Sequence, residues 1–219
     1  MKTRKFLLIF ITLYTIFFLG RGLELLGINW LIYPVYFLLF ILGILAYREE
    51  LKEQLALILT KKKEFLKTIS LYMVFVFLLS IACNFLSAFI KYSLGLPLQG
   101  QNDANIQGAL LKNPFLILVF GSFIGPFVEE FFFRRFFLGT FLEKFPNWLD
   151  IVLTTFLFAT LHMHSWALSE WVTAISYLAG GLLLSLLYLR KDKNIWYPIA
   201  LHCCNNIIAF VITIFSISQ

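Results

Sequence analysis

The 219 residues are 60% hydrophobic and 14% charged, with a net charge of +6 and a mean hydropathy of +0.85. A soluble domain is nearer half apolar and a quarter charged, so this composition excludes an ordinary soluble globular protein and points to a polytopic membrane protein. The basic residues sit in short stretches beside apolar runs, which reads as membrane orientation; no nucleic-acid partner is expected.

Seven apolar segments follow one another along the chain, at about Phe6–Gly20, Ile28–Tyr47, Ile69–Lys91, Pro114–Thr140, Trp148–Met163, Trp171–Leu189 and Ile195–Phe215. A membrane-spanning helix needs about 20 apolar residues, so the first and fifth are short and the fourth is long enough to tilt. The first begins MKTRKFLLIF and could pass for a signal peptide. It lacks an Ala-x-Ala-like cleavage site and runs into Gly20, Arg21 and Gly22, so an uncleaved first helix is expected.

Lys and Arg gather in alternate connections. Lys2, Arg4 and Lys5 precede the first segment, and Arg48, Lys52, Lys61, Lys62, Lys63 and Lys67 precede the third. Arg135 and Lys144 follow the fourth, and Arg190, Lys191 and Lys193 follow the sixth. The excess of basic residues on cytoplasmic loops then predicts a cytoplasmic N-terminus in a multi-pass protein of the cell membrane. Arg48–Phe65 is amphipathic and is expected as a cytoplasmic interfacial helix, whereas Tyr92–Asn113 is polar and is expected as a turn-rich extracytoplasmic loop. The predicted fold is all-α: a transmembrane helical bundle of about seven spans, forming a single membrane domain over residues 1–219. The three cysteines, Cys83, Cys203 and Cys204, all fall in apolar segments and are expected to pack as small residues rather than to form disulfides.

The fourth segment carries GPFVEEFFFRR, in which Glu129 and Glu130 adjoin inside an apolar run. One charged side chain at the centre of a membrane helix costs roughly 2.5–3.5 kcal/mol on insertion scales, and such residues are functional candidates by default. On a helix, Glu130 and Arg134 stand at i, i+4, the spacing of an ion pair. Glu129 is turned about 100° away from Glu130 and is left without a partner on its own helix. Structural ion pairs between helices are the bland alternative. His162 ends the fifth segment, one turn after Phe158, with His164 just beyond. His202 and Asn206 share one face of the last segment, and Asn205 lies close to it. Polar groups inside a bilayer must meet one another or line a cavity, so these segments are expected to converge.

Glu129-Glu130-x-x-x-Arg134, then Phe158-x-x-x-His162, then His202-x-x-x-Asn206, in order and on separate apolar helices, resembles the three-motif pattern of the CAAX-processing and bacteriocin-processing (CPBP, or Abi) intramembrane endopeptidases. The resemblance covers about Gly121–Ala209, within a motif-bearing core of about residues 114–215; the N-terminal half carries no motif. It implies a glutamate-type peptidase acting on a peptide or protein substrate at the bilayer. Glu129 with His162 would activate a water, His202 and Asn206 would stabilise the oxyanion, and Glu130, Arg134 and Phe158 would support them. No cofactor is expected. There is no HExxH motif, but Glu129, His162 and His202 could supply the three ligands of a catalytic zinc. Two further readings are a non-catalytic relative acting in bacteriocin self-immunity or regulation, and a proton-conducting transporter. The latter fits poorly, because no repeated halves are visible. Arg135, where many members carry Gly, and the extra His164 depart from the pattern. One conflict of depth remains: helical rise places Glu129 and His202 two to three turns from the cytoplasmic side, but His162 near the far end of its segment.

Overall fold

The computed structural model describes residues 2–142 and 145–217, all of whose regular elements are helices. The fold is a membrane helical bundle. Lys144, counted above among the orienting charges, lies outside the described residues.

Helix α1 (Lys2–Tyr14) continues through a wide π-turn at Thr15–Leu19, and a short α2 (Gly22–Leu25) follows. α3 spans Ile32–Thr60 and α4 spans Lys62–Ser93, so the amphipathic stretch Arg48–Phe65 is divided between the end of α3 and the first turn of α4, with the break at Lys61. The polar end of α3 is tied to the connection before the last helix. Gln54 Nε2 donates to Lys193 O (3.3 Å), Ile195 N–H donates to Gln54 Oε1 (2.9 Å), and the Trp196 indole donates to Leu51 O (2.9 Å).

The region Tyr92–Asn113 differs from the expected loop. After a turn at Gly95 it forms α5 (Gln101–Lys112). Its sequence, QNDANIQGALLK, is too polar to signal a membrane helix, and its amphipathic face is short; Leu110 is its buried anchor.

The fourth apolar segment is one long rod built of four pieces: α6 (Pro114–Val119), a π-turn at Phe120–Ile124, α7 (Gly125–Glu130) and a π-helical stretch at Phe131–Phe141. α8 (Asn147–Leu161), α9 (Leu168–Arg190) and α10 (Trp196–Ile217) complete the chain. Among the described residues five helices are long and apolar enough to cross a membrane, and α8 is a shorter apolar helix. Its 15 residues extend about 22 Å at about 1.5 Å per residue, less than the roughly 30 Å hydrocarbon core. Phe158 in its last turn reaches both Arg134 and His202, which brings the end of α8 to the level of the glutamates and of His202.

The main core is aromatic. Phe10 and Tyr14 of α1, Leu39, Leu42 and Tyr47 of α3, and Phe131, Phe132 and Phe133 after the glutamates pack together. Tyr14 stacks on Phe132 with centroids 4.2 Å apart. Gly43 lets α3 approach here, since a Cβ at this position would overlap the Phe131 ring. Cys83, Cys203 and Cys204 are free thiols.

Candidate active site

Glu129 and Glu130 close α7, at the junction with the π-helical stretch. Single π-turns inside α-helices recur at functional sites, because each re-aims the side chains that follow. Glu130 and Arg134 are fully buried, and Glu130 is held from two sides. Arg134 Nη1 donates to Glu130 Oε1 (3.2 Å) and His202 Nδ1 donates to the same oxygen (2.8 Å). Arg134 Nη2 donates to Gly181 O on α9 (3.2 Å), and the guanidinium lies over the Phe158 ring, 4.6 Å from its centroid. The predicted i, i+4 pair is therefore present, and it is one side of a triad with His202.

Glu129 points away from that pair. Its Oε2 lies 3.8 Å from His202 Nε2, its side chain keeps 12% exposure where Glu130 keeps none, and the Tyr36 side chain on α3 forms a hydrogen bond with it. One imidazole thus stands between two carboxylates, one through each ring nitrogen.

Phe158 links the second histidine to this group. Its ring is 5.8 Å from His202 and 5.0 Å from His162, centroid to centroid. His162 Nδ1 donates to Phe158 O (2.9 Å). A neutral imidazole carries one N–H, so that bond leaves Nε2 as the acceptor. The other face of His162 stacks on Tyr177 of α9, at 4.2 Å and 17°.

Asn206 is placed by a gap in a neighbouring backbone. In the π-turn at Phe120–Ile124, the Gly125 N–H bonds Phe120 O rather than Gly121 O. The next residue is Pro126, which has no N–H to offer. Asn206 Nδ2 donates to the carbonyl of Gly121 instead, at 2.9 Å. Gly121 also admits α10, because a Cβ there would meet the Phe210 ring at 2.5 Å. Asn205 only donates weakly to Asn206 Oδ1, at 3.4 Å.

The structure thus gathers Glu129, Glu130, Arg134, Phe158 and His202 around one buried point, with His162 across the Phe158 ring and Asn206 one turn beyond His202. Among the described residues, no group of three or more His, Cys, Asp or Glu side chains is arranged to hold a metal ion. Two residues escaped sequence reasoning. Tyr36 and Tyr177 touch Glu129 and His162, but a tyrosine in an apolar helix carries no spacing signal. Of the residues that depart from the pattern, Arg135 donates from Nε to both Glu50 oxygens (2.7 Å), and His164 donates its backbone N–H to Glu170 Oε2 (3.1 Å).

Comparison with known proteins finds similarity over the same stretch of the chain. Residues 111–208 match the family model described as type II CAAX prenyl endopeptidase Rce1-like, a range that holds all three motifs. The chain is 28% identical over 115 residues to the protein named "Putative membrane peptidase YdiL" from Bacillus subtilis (strain 168), a match covering 52% of this chain and 44% of that relative. No solved structure matches the chain significantly. This motif-bearing stretch, with the buried Glu, His and Arg cluster it carries, is thus similar to the type II CAAX prenyl endopeptidase Rce1-like family, and the matched part spans less than half the length of the curated relative.

Proposed function

We propose that the protein hydrolyses a peptide bond within or beside the bilayer, using a water activated by Glu129 and His162. The observation that carries this reading is the placement of Glu129. Its carboxylate is partly accessible and stands beside His202, while its neighbour Glu130 is sealed against Arg134. A base must reach its proton donor, and a supporting carboxylate need not.

In this mechanism a water enters between Glu129 and His162 Nε2, and Glu129 accepts its proton as the oxygen attacks the scissile carbonyl. His202 Nδ1 is held by Glu130, and once Glu129 has taken the water's proton, Nε2, 3.8 Å from Glu129 Oε2, can share that proton and present an N–H to the developing oxyanion. Asn206 keeps a second amide hydrogen beyond the one given to Gly121 O, and that hydrogen can join it. Glu129 then returns its proton to the departing amine. No step requires a metal ion. The substrate is a peptide or protein at the membrane, and by the charge pattern the N-terminus faces the cytoplasm.

The test is cleavage of a peptide library by purified protein in lipid nanodiscs, with wild type and Glu129→Gln, each with and without chelator. Glu129→Gln should lower turnover by about 10²–10⁴, the range for a positioned base, and chelator should leave the wild type active. Full activity in Glu129→Gln would sink the assignment. Stoichiometric zinc lost together with activity would replace the metal-free route, because bound metal lowers the pKa of its water to about 7.

A further inference from the structure

A second polar cluster lies beyond His162, and none of its members belongs to the three motifs. Tyr177 Oη donates to Asp103 Oδ1 (2.8 Å) and accepts from Asn102 Nδ2 (2.8 Å), both on the first turn of α5. Asn102 Oδ1 lies 3.3 Å from His164 Nε2, where that nitrogen can donate to it. Glu170 on α9 accepts from the Gln101 backbone N–H through Oε1 and from the His164 backbone N–H through Oε2, both at 3.1 Å. From the opposite side, Arg21 donates to His164 O (2.8 Å) and to Met163 O. Lys91 is buried beside them and donates to Leu98 O (2.9 Å). The turn that carries His162 out of α8 is therefore gripped from α5, from α9 and from the link after α1.

These ties converge on one ring. Among the described residues, His162 has a single hydrogen-bonded anchor, through Nδ1 to Phe158 O, which leaves the ring free to tilt about that bond. What fixes its plane is the stack on Tyr177, at 4.2 Å and nearly parallel. What fixes Tyr177 is the pair Asn102 and Asp103, which hold its hydroxyl as acceptor and as donor. A buried Tyr hydroxyl finds a polar partner, and both partners of this one come from a single helical turn.

We propose that Tyr177 is a positioning residue for His162, and that the first turn of α5 sets the aim of His162 Nε2 through it. The proposal rests on the reading of His162 as part of the water-activating site. α5 then belongs to the active machinery although it carries no motif: Asp103 and Asn102 hold the Tyr177 ring, and the ring holds the imidazole. A purely structural tie would stabilise the bundle without affecting the reactivity of His162.

The experiment uses full-length protein in lipid nanodiscs, as wild type, Tyr177→Leu, Tyr177→Phe, Asp103→Asn, and the double variant of the last two. The first readout is carbethoxylation of His162 by diethyl pyrocarbonate, followed by mass spectrometry, with His202 as the internal reference. It needs no substrate. Removing the stack in Tyr177→Leu should raise the rate at His162 by about two- to tenfold, in keeping with what aromatic pairs contribute, with His202 unchanged. Tyr177→Phe keeps the stack and loses the ties to α5. It should give a smaller rise than Tyr177→Leu, Asp103→Asn should give a rise no larger than that because the Asn102 tie remains, and the double variant should match Tyr177→Phe, because the Asp103 tie runs through the hydroxyl. The second readout is cleavage: Tyr177→Leu should lower kcat, leave KM nearly unchanged and displace the pH profile. An unaltered His162 rate in Tyr177→Leu overturns the proposal. If that variant unfolds, seen as a parallel rise at His202, then unaltered His162 rates in Tyr177→Phe and Asp103→Asn overturn it. Glu129→Gln separates the two readings: if it still cleaves, the peptidase mechanism falls, while the carbethoxylation rates decide the positioning role independently.

Discussion

The two halves of this membrane protein spend their apolar residues differently. In α4 only 11% of the most apolar window is buried inside the protein; in α9 it is 50%. The outward face of α4 is a run of large side chains, among them Phe75, Phe77, Ile81, Phe85 and Phe89. Lipid is as apolar as these side chains, so they gain little by turning inward, and helix association in a bilayer rests on close packing and on polar contacts instead. The motif-bearing half shows what does draw helices together. Arg134 donates to Gly181 O on α9 and to Glu130, and His202 of α10 donates to Glu130. A helix of the N-terminal half is admitted where a side chain is missing, at Gly43, and contributes one polar group, Tyr36, to Glu129.

The sharpest way to break this contrast is to remove a member of the buried triad. Arg134→Gln leaves Glu130 without its cation and should destabilise the protein by about 3–5 kcal/mol. Glu130→Gln should also be costly, and the double variant should lose less than the sum of the two, since it strands no charge. Thermal unfolding in nanodiscs measures this, and strictly additive losses would show that the two residues do not act as a pair.

Next in size is Asn206→Ala. Loss of one oxyanion donor costs about 10²–10³ in turnover, and here the Gly121 carbonyl also loses its donor. Asn205→Ala should do much less in the same cleavage assay. The reverse order would place the functional face of α10 one residue away.

Gly43→Ala tests the contact between the halves. Its new methyl group must displace the buried Phe131 ring, and overpacking of this kind costs about 1–3 kcal/mol. An unchanged melting temperature would mean that α3 gives way easily. The smallest effect belongs to the lipid face: Phe85→Leu should stay within about 0.5 kcal/mol, and a larger loss would show that this face has a protein partner.

The residues also mark where sequence reasoning reaches. The apolar segments were legible because length and hydropathy decide them, and the pairing of Glu130 with Arg134 because i, i+4 geometry survives one turn of helix. The level at which α8 ends was not legible: an apolar run reads the same whichever neighbours its last turn meets, here Arg134 and His202 through Phe158. α5 was hidden by its polar composition, since its helix is held by ties from Glu170 and Tyr177 rather than by an apolar stripe. The π-turns were hidden because a fixed 100° step is assumed in every projection of a helix. The link from His202 to Glu130 joins two distant segments, and no periodicity reports it.

The carbonyl of Gly121 couples two positions that are far apart in the chain. Pro126 cannot supply the amide that a π-turn would direct at that oxygen, and the Asn206 side chain takes its place. In homologous sequences the two positions should therefore change together. Proline at the first should require a side-chain donor at the second, and a lineage that loses the donor should regain an ordinary amide in place of the proline. Such covariation would be inherited as a pair of compensating substitutions, visible in an alignment before any activity is measured.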